Sequence, residues 1–198
     1  MFILYALVIG LIIGFVAGGR PVGLSQLQFR WTWVMLGGLL VQVVLFSEFL
    51  APRIGDAGPP IYAASTAAVV LAVIANRRIT GMPVVALGAA CNFAAIVANG
   101  GYMPAALGAL QDHAKVTSTV YSNSVVSPDP ALAPLTDIFA LPAWLPFANV
   151  FSVGDVLIGV GVAIVIVAAM RRLPPEPGTG PAMSQHGGTS GVGGPASS

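Results

Sequence analysis

Charge is scarce in this chain. Of 198 residues, 8 are Lys or Arg and 7 are Asp or Glu, 8% in all, where a soluble domain carries roughly 25%. Hydrophobic residues make up 56%. Such a chain cannot cover a water-facing surface with polar groups, and a bilayer is the simplest solvent for it. The net charge of +1 offers no basic surface to nucleic acid. Cysteine is nearly absent: Cys91 is single, which excludes an internal disulfide. His113 and His186 are far apart and there is no Cys-x-x-Cys, so metal-ligand spacing is missing. No metal or cofactor is expected. A Gly-rich phosphate loop, a Ser-His-Asp pattern and a basic amphipathic helix are missing as well.

Long apolar stretches take their place. Five occur, over Phe2–Ala17, Thr32–Leu50, Ile61–Ala75, Pro83–Ala98 and Val153–Met170. A spanning helix needs about 20 apolar residues, with a range of about 17–25. The second and fifth fit, and the others need flanking residues. The expected fold class is therefore all-α, a membrane bundle of about five transmembrane helices. Its domain covers residues 1–172.

The arginines set an orientation. Arg20 and Arg30 bracket the first loop, Arg77 and Arg78 follow the third stretch, and Arg171 and Arg172 follow the fifth. With the N-terminus outside, all six lie in the cytoplasm, and only Arg53 and Lys115 lie outside. Trp31 and Trp33 then mark the inner interface of the second span. Phe46, Phe49, Tyr62, Tyr102, Trp144 and Phe147 mark the outer one. The expected topology is N-out and C-in, in a multi-pass membrane protein. A cleaved signal peptide is the alternative for the first stretch, but no basic region precedes it and Arg20 follows it.

Two regions do not span. Residues 99–152 form an outer segment with six prolines. Within it, Ala105–Val116 has a pattern for a short surface helix, Thr117–Ser127 is polar, and Pro128-Asp129-Pro130 reads as a turn. The tail, residues 173–198, is rich in Gly, Pro and Ser and is expected to be disordered in the cytoplasm. No internal repeat is visible. The expected partners are the lipid bilayer and either another membrane protein or a second copy of this chain.

Polar residues in apolar surroundings are the functional candidates. Gln42 and Asn92 lie inside the second and fourth spans. An unpaired amide in lipid is costly, so each should face the bundle. Each is then either an interhelical hydrogen bond, which ranks first, or part of a solute path. Glu48 sits near the outer end of the second span. Gly10, Gly14 and Gly18 recur at the spacing that lets helices approach closely, inside one chain or between copies.

Asp155 opens the fifth span, after Phe151 and Ser152. As a first-turn acid it can cap the helix, which ranks first, or serve as a carboxylate at the membrane surface. Asp137 is a second outer acid. Two carboxylates held close share a proton and activate water, so Asp155 and Asp137 are the catalytic candidates. Asn99, Gly100, Gly101 and Tyr102, before Met103 and Pro104, form a turn that either shapes a pocket or simply ends the fourth span. His113 and Lys115 are loop residues or ligands, and Cys91 is a packing residue.

Two resemblances follow from these motifs. Asn99-Gly100-Gly101-Tyr102-Met103-Pro104 and Phe151-Ser152-Val153-Gly154-Asp155 together resemble a family of small polytopic bacterial membrane proteins, of actinobacterial and chloroflexi type. That family is a domain of unknown function. The resemblance covers about residues 1–172 and implies inner-membrane residence but no activity. Residues 84–166 are also similar to the last two spans of lipoprotein signal peptidase, a membrane aspartic protease. Its spans carry Gly-Asn-x-x-Asp-Arg and Phe-Asn-x-Ala-Asp-x-x-Ile. Phe151, Asp155 and Ile158 match the second pattern, with Ser152 for its Asn and Gly154 for its Ala. Asn92 matches the Asn of the first. Ala95 stands where the other catalytic Asp belongs, and Ile96 where Arg belongs, so a related enzyme would lack half of its acid pair.

Three functions remain in order: a non-enzymatic scaffold or assembly partner, a hydrolase of the signal-peptidase kind, and a small-molecule or ion carrier using Gln42, Asn92 and Glu48. The hydrolase needs a second carboxylate within about 5 Å of Asp155. The carrier needs its polar residues to converge on one cavity.

Overall fold

The computed structural model describes residues 2–105, 124–142 and 144–172. His113, Lys115, the tail 173–198 and the expected surface helix beyond Ala105 lie outside those residues. Helix dominates what is described. Helix α1 spans Phe2–Val16, α2 Thr32–Leu45, the single turn α3 Ala51–Ile54, α4 Gly58–Ala75, α5 Met82–Ala98 and α6 Val153–Met170. Two helical units are long and apolar enough to cross a membrane: Ala51–Ala75, with a mean hydropathy of 1.7, and Val153–Met170, at 2.5. Helices α1, α2 and α5 are apolar but shorter.

The ends have local causes. Helices α4 and α5 carry proline in their first turn, at Pro59 and Pro83, where the missing N–H would have had no helical partner. Helix α2 stops at Leu45, five residues before the end of its apolar stretch. There Ser47 donates its hydroxyl to the Val44 carbonyl and accepts from the Leu50 N–H. This local bonding competes with helix continuation, and Pro52 then opens α3. Glu48 thus lies exposed in a turn between α2 and α3 rather than on a helix.

Packing does not follow chain order. Helix α6 sits between α1 and α5, and α4 sits between α5 and α2. The row therefore runs α1, α6, α5, α4, α2, with two sequence neighbours at its ends. One end of the bundle, along the helix axes, gathers every arginine except Arg53. The Arg20 N–H donates to the Met170 carbonyl at 2.7 Å. The Asn76 side chain accepts from the Arg30 N–H at 2.7 Å and donates to the Arg30 carbonyl at 2.8 Å. The loops bearing Arg77, Arg78, Arg171 and Arg172 meet there too. Val73, Met82, Val85 and Val165 form the core near this end, and Leu45, Tyr62, Ala95, Ile96 and Met103 form the core near the other.

The segment between α5 and α6 caps that second end, using strands too short to register as alternation in the sequence. Strand β1 (Met103–Ala105) pairs parallel with β2 (Ser124–Val126). Strand β3 (Phe139–Ala140) pairs antiparallel with β4 (Val150–Phe151). The Asp137 N–H donates to the Pro104 carbonyl at 2.9 Å, which ties the segment back to β1. Stacking of Phe2 on Phe151, with ring centroids 4.5 Å apart, fastens the start of α1 to β4.

Helices α5 and α6 cross in backbone contact. A Cβ added at Gly88 would lie 2.4 Å from the Gly154 carbonyl oxygen, and one at Gly154 would lie 1.9 Å from Asn92 Oδ1. The glycines of α1 divide in role. Gly10 and Gly14 face α6, where a Cβ would come within 2.9 Å of Ala163 Cα and 2.5 Å of Met170 Sδ respectively. Gly18 faces open space and turns the chain at φ 74°. Two of the three spaced glycines therefore pack inside this chain.

Replacing Gly88 with Ala should push α5 from α6 and destabilise the protein by about 1–3 kcal/mol, as overpacking does. Gly37, where an added Cβ meets nothing within 4 Å, is the control. Gly37→Ala should be neutral or stabilising by up to about 1 kcal/mol. Unfolding curves in detergent micelles compare the two.

Candidate functional site

The site begins with the start of α6. Ser152 is extended, at φ −104° and ψ 171°, and the chain enters the helix directly after it. Its hydroxyl accepts from the Asp155 N–H at 3.0 Å, and Asp155 Oδ2 accepts from the Ser152 N–H at 3.0 Å. This is a reciprocal capping box, with Asp in the place usual for Glu. It satisfies two donors that a helix start leaves free, and it puts a carboxylate beside the positive end of the helix dipole. The capping role of Asp155 is therefore real.

Asn92 on α5 completes the arrangement. Its amide donates from Nδ2 to Asp155 Oδ1 at 2.9 Å. Its Oδ1 accepts from the Ser152 hydroxyl at 2.8 Å. Ser152 is fully buried, at 0% exposure, so its hydroxyl depends on these partners. Asn92 can reach them only because Gly88, one turn earlier, lets the α6 backbone come close. Among the described residues, no buried side-chain nitrogen or oxygen lacks a partner.

The triad borders a cavity of about 430 Å³ at the end of the bundle away from the arginines. Asn92 and Asp155 line it, as do Asp137 and Asn149 from the capping segment. Gln42 on α2 and Tyr62 and Thr66 on α4 line the opposite side. Gln42 donates from Nε2 to Thr66 Oγ1 at 3.3 Å, and that hydroxyl donates to the Tyr62 carbonyl at 2.8 Å. Phe2, Leu39, Val69, Val70 and Ile158 are among its apolar walls. Asp137 is 5% exposed, and it is among the lining residues.

Other candidates stand apart. Glu48 is exposed in the turn after α2 and is not a lining residue. Asn99, Gly100 and Gly101 end α5. The Gly101 N–H donates to the Ile96 carbonyl at 2.8 Å and the Gly100 N–H to the Val97 carbonyl at 3.3 Å, with Gly100 at φ 70°. That is a Schellman ending. Asn99 then anchors the capping segment, exchanging hydrogen bonds with both backbone groups of Ala131 at 2.9 Å. Tyr102 adjoins this turn, outside the lining, and Cys91 is partly buried on α5. Ala95 is completely buried in the core with Tyr62 and Met103. Among the described residues, no group of three His, Cys, Asp or Glu side chains is placed to hold a metal.

The sequence reading did not single out Tyr62 and Thr66 as cavity residues, nor Asn149 or Phe2. A signal existed for Thr66. Gln42 needs a partner inside the bundle, and Thr66 is one of the few polar residues of the third apolar stretch. Asn149 and Phe2 reach the site through β4, which leaves no sequence signature.

The matched region can now be compared with known proteins. A family of unknown function, DUF5317, matches residues 26–167, and the chain belongs to that family. The match takes in α2 to α6, with both the triad and the glycine crossing. No curated protein and no solved structure matches the chain.

Asn92→Ala should strand the Ser152 hydroxyl and remove a donor from Asp155, costing about 1–3 kcal/mol. Ser152→Ala should cost about 0.5–2 kcal/mol through the lost cap. Because the residues share one network, the double variant should fall short of the sum by about 0.5 kcal/mol or more. A double-mutant cycle on unfolding free energy measures the difference.

Proposed function

We propose that this member of DUF5317 is a non-catalytic, multi-pass membrane protein that binds a small molecule in a cavity at its outer face. The cavity lined by Gln42, Thr66, Asn92, Asp137, Asn149 and Asp155 carries the reading. Its volume falls in the range of about 300–1,000 Å³ typical of small-ligand sites. Polar and ionisable groups are expensive within a membrane and tend to mark a binding place or pathway there. The convergence of Gln42 and Asn92 on one cavity is what a carrier or receptor requires, and a scaffold gives no account of it.

The membrane setting draws on two further observations. Large apolar side chains face outward along the helices, among them Trp33 at 85% and Val43 at 69% exposure, which a water-soluble surface would not sustain. Six of the seven arginines gather at one end and the cavity lies at the other, with Arg53 of α3. By the positive-inside rule this favours five spans, N-out and C-in, with the cavity outside the cytoplasm of a bacterial cell.

A hydrolase is the second reading, because Asp137 and Asp155 line the same cavity. Against it, each Asp155 oxygen already serves the cap or Asn92. The residue that would complete a signal-peptidase pair is Ala95, and it lies in the apolar core.

A thermal-shift panel of small solutes on the detergent-purified chain tests the binding reading. At least one solute should raise the Tm of the wild type and leave Ala89→Trp unmoved, since Ala89 lines the cavity and the larger ring would fill it. A panel in which every stabilising solute acts equally on both proteins would defeat the reading. Turnover of a bound ester or peptide, lost in both Asp137→Asn and Asp155→Asn, would favour the hydrolase. For topology, a phosphatase fused at the C-terminus should be inactive in cells and a cytoplasmic reporter active.

A further inference from the structure

Resting on the reading of the cavity as a ligand site in a membrane, we infer that its ligand is a single-chain amphiphile with a hydrogen-bonding head, which enters from the bilayer between α1 and α2. These two helices stand at the ends of the row. Helix α1 packs on α6 and α2 on α4, and no comparable packing joins α1 to α2. Both nevertheless line the cavity, α1 through Phe2 and Ile3 and α2 through Leu39 and Gln42. The row therefore curls around the cavity without closing. Ile3 and Leu39 belong to the lining and are still 41% and 49% exposed. Among the described residues, the cavity thus has a gap in its side with apolar edges. Leu39 lies in the middle of α2, so in a bilayer the gap reaches the depth of the acyl chains.

The lining is divided in two along the helix axes. One turn nearer the six clustered arginines than Gln42 stands Leu39, and Val69 and Val70 stand so relative to Thr66. On the facing helices, Ala89 lies one turn below Asn92 and Ile158 one turn below Asp155. Three or four residues of helix rise about 5 Å, so a polar tier sits above an apolar one by that distance. A wholly polar solute would gain nothing from the lower tier. A wholly apolar molecule would strip water from the Asp155 carboxylate and return no hydrogen bond. An amphiphile meets both. Asp155 accepts one hydrogen bond on each oxygen, and a carboxylate oxygen has room for two. Asn92 donates to Asp155 from an amide nitrogen that carries a second hydrogen. A hydroxyl or amide on the head therefore finds an acceptor and a donor here without disturbing the cap. The volume of about 430 Å³ is the equivalent of about fourteen waters at roughly 30 Å³ each. That is room for a head and the start of a chain, and the rest of the chain leaves through the gap.

Photolabelling of the full chain in phosphatidylcholine nanodiscs tests this, with a monoacylglycerol carrying a diazirine on its chain as the probe. Label should fall on lining residues of α2 and α4, and excess 1-oleoylglycerol should displace it. Glycerol, the head alone, and octadecane, the chain alone, should not. Ala89→Trp, which fills the cavity, and Leu39→Trp, which narrows the gap, should each cut the label about tenfold. Leu39 is half exposed, so its variant keeps the test decisive if Ala89→Trp folds poorly. Displacement by glycerol or octadecane as effective as that by 1-oleoylglycerol overturns the amphiphile and leaves the binding site standing. Loss of label in Ala89→Trp but not in Leu39→Trp overturns entry between α1 and α2. Label confined to outward positions such as Val43, and unchanged by both variants, overturns the amphiphile; the site then survives if some water-soluble solute still separates wild type from Ala89→Trp. If neither the label nor any solute separates those two proteins, both readings fall.

Discussion

Helices α5 and α6 touch backbone to backbone where Gly88 meets Gly154, and no side chain fits between them. Everything at the cavity depends on that approach. It brings Asn92 within hydrogen-bond distance of both Ser152 and Asp155, which caps α6 and ties it to α5 at one point. Were the helices a methyl group further apart, Asn92 would lose its partners and the hydroxyl of Ser152 would be buried with only the cap to serve it. The same helix uses its other side for α1, against Gly10 and Gly14. Thus α6 is held between two close contacts, each made by glycines of its neighbour.

This packing suits a chain with little charge. In the proposed membrane setting, helices that are apolar on all sides gain nothing from hiding a hydrophobic face, so close contact and hydrogen bonds between helices would hold them together. The described structure has both. Gln42 bonds to Thr66 between α2 and α4, Asn92 bonds to Asp155 between α5 and α6, and Asn76 clamps the backbone of Arg30. Each amide lies between two elements that are distant in sequence, and each is satisfied. The amides therefore serve the fold first, and the cavity reuses Gln42, Thr66, Asn92 and Asp155.

A site built in this way has two layers. Asp155, Asn92 and Ser152 are bound to one another and stay in position whether or not a ligand is present. Asp137 and Asn149 come from the capping segment, which is fastened by short strands, by the stacked rings of Phe2 and Phe151, and by Asn99 holding Ala131. The first layer is rigid because its bonds are reciprocal. The second is positioned by short strands and by the hydrogen bond from the Asp137 N–H to Pro104, and it supplies the second carboxylate. Under the proposed function, the ligand would lie between these layers, with α2 and α4 as the far wall.

Much of this was legible in the residues alone. The five apolar stretches mark the helices, and the boundaries follow from local chemistry: prolines in first turns, Gly100 and Gly101 after α5, Ser152 and Asp155 before α6. The common location of the arginines also follows from counting along the chain. The family could be read from the same two motifs. These features depend on neighbours in sequence, so one dimension suffices. The order α1, α6, α5, α4, α2, the crossing at Gly88 and Gly154, and the placing of Asp137, Asn92 and Gln42 around one cavity were decided only by tertiary structure. A helix that is apolar all round carries no stripe to say which face turns inward, and the contacts that settle the question join residues distant in sequence, 24 apart for Gln42 and Thr66 and 60 apart for Asn92 and Ser152. The scarcity of charge therefore dictated where the helices are, and the placement of a few glycines and amides decided how they meet.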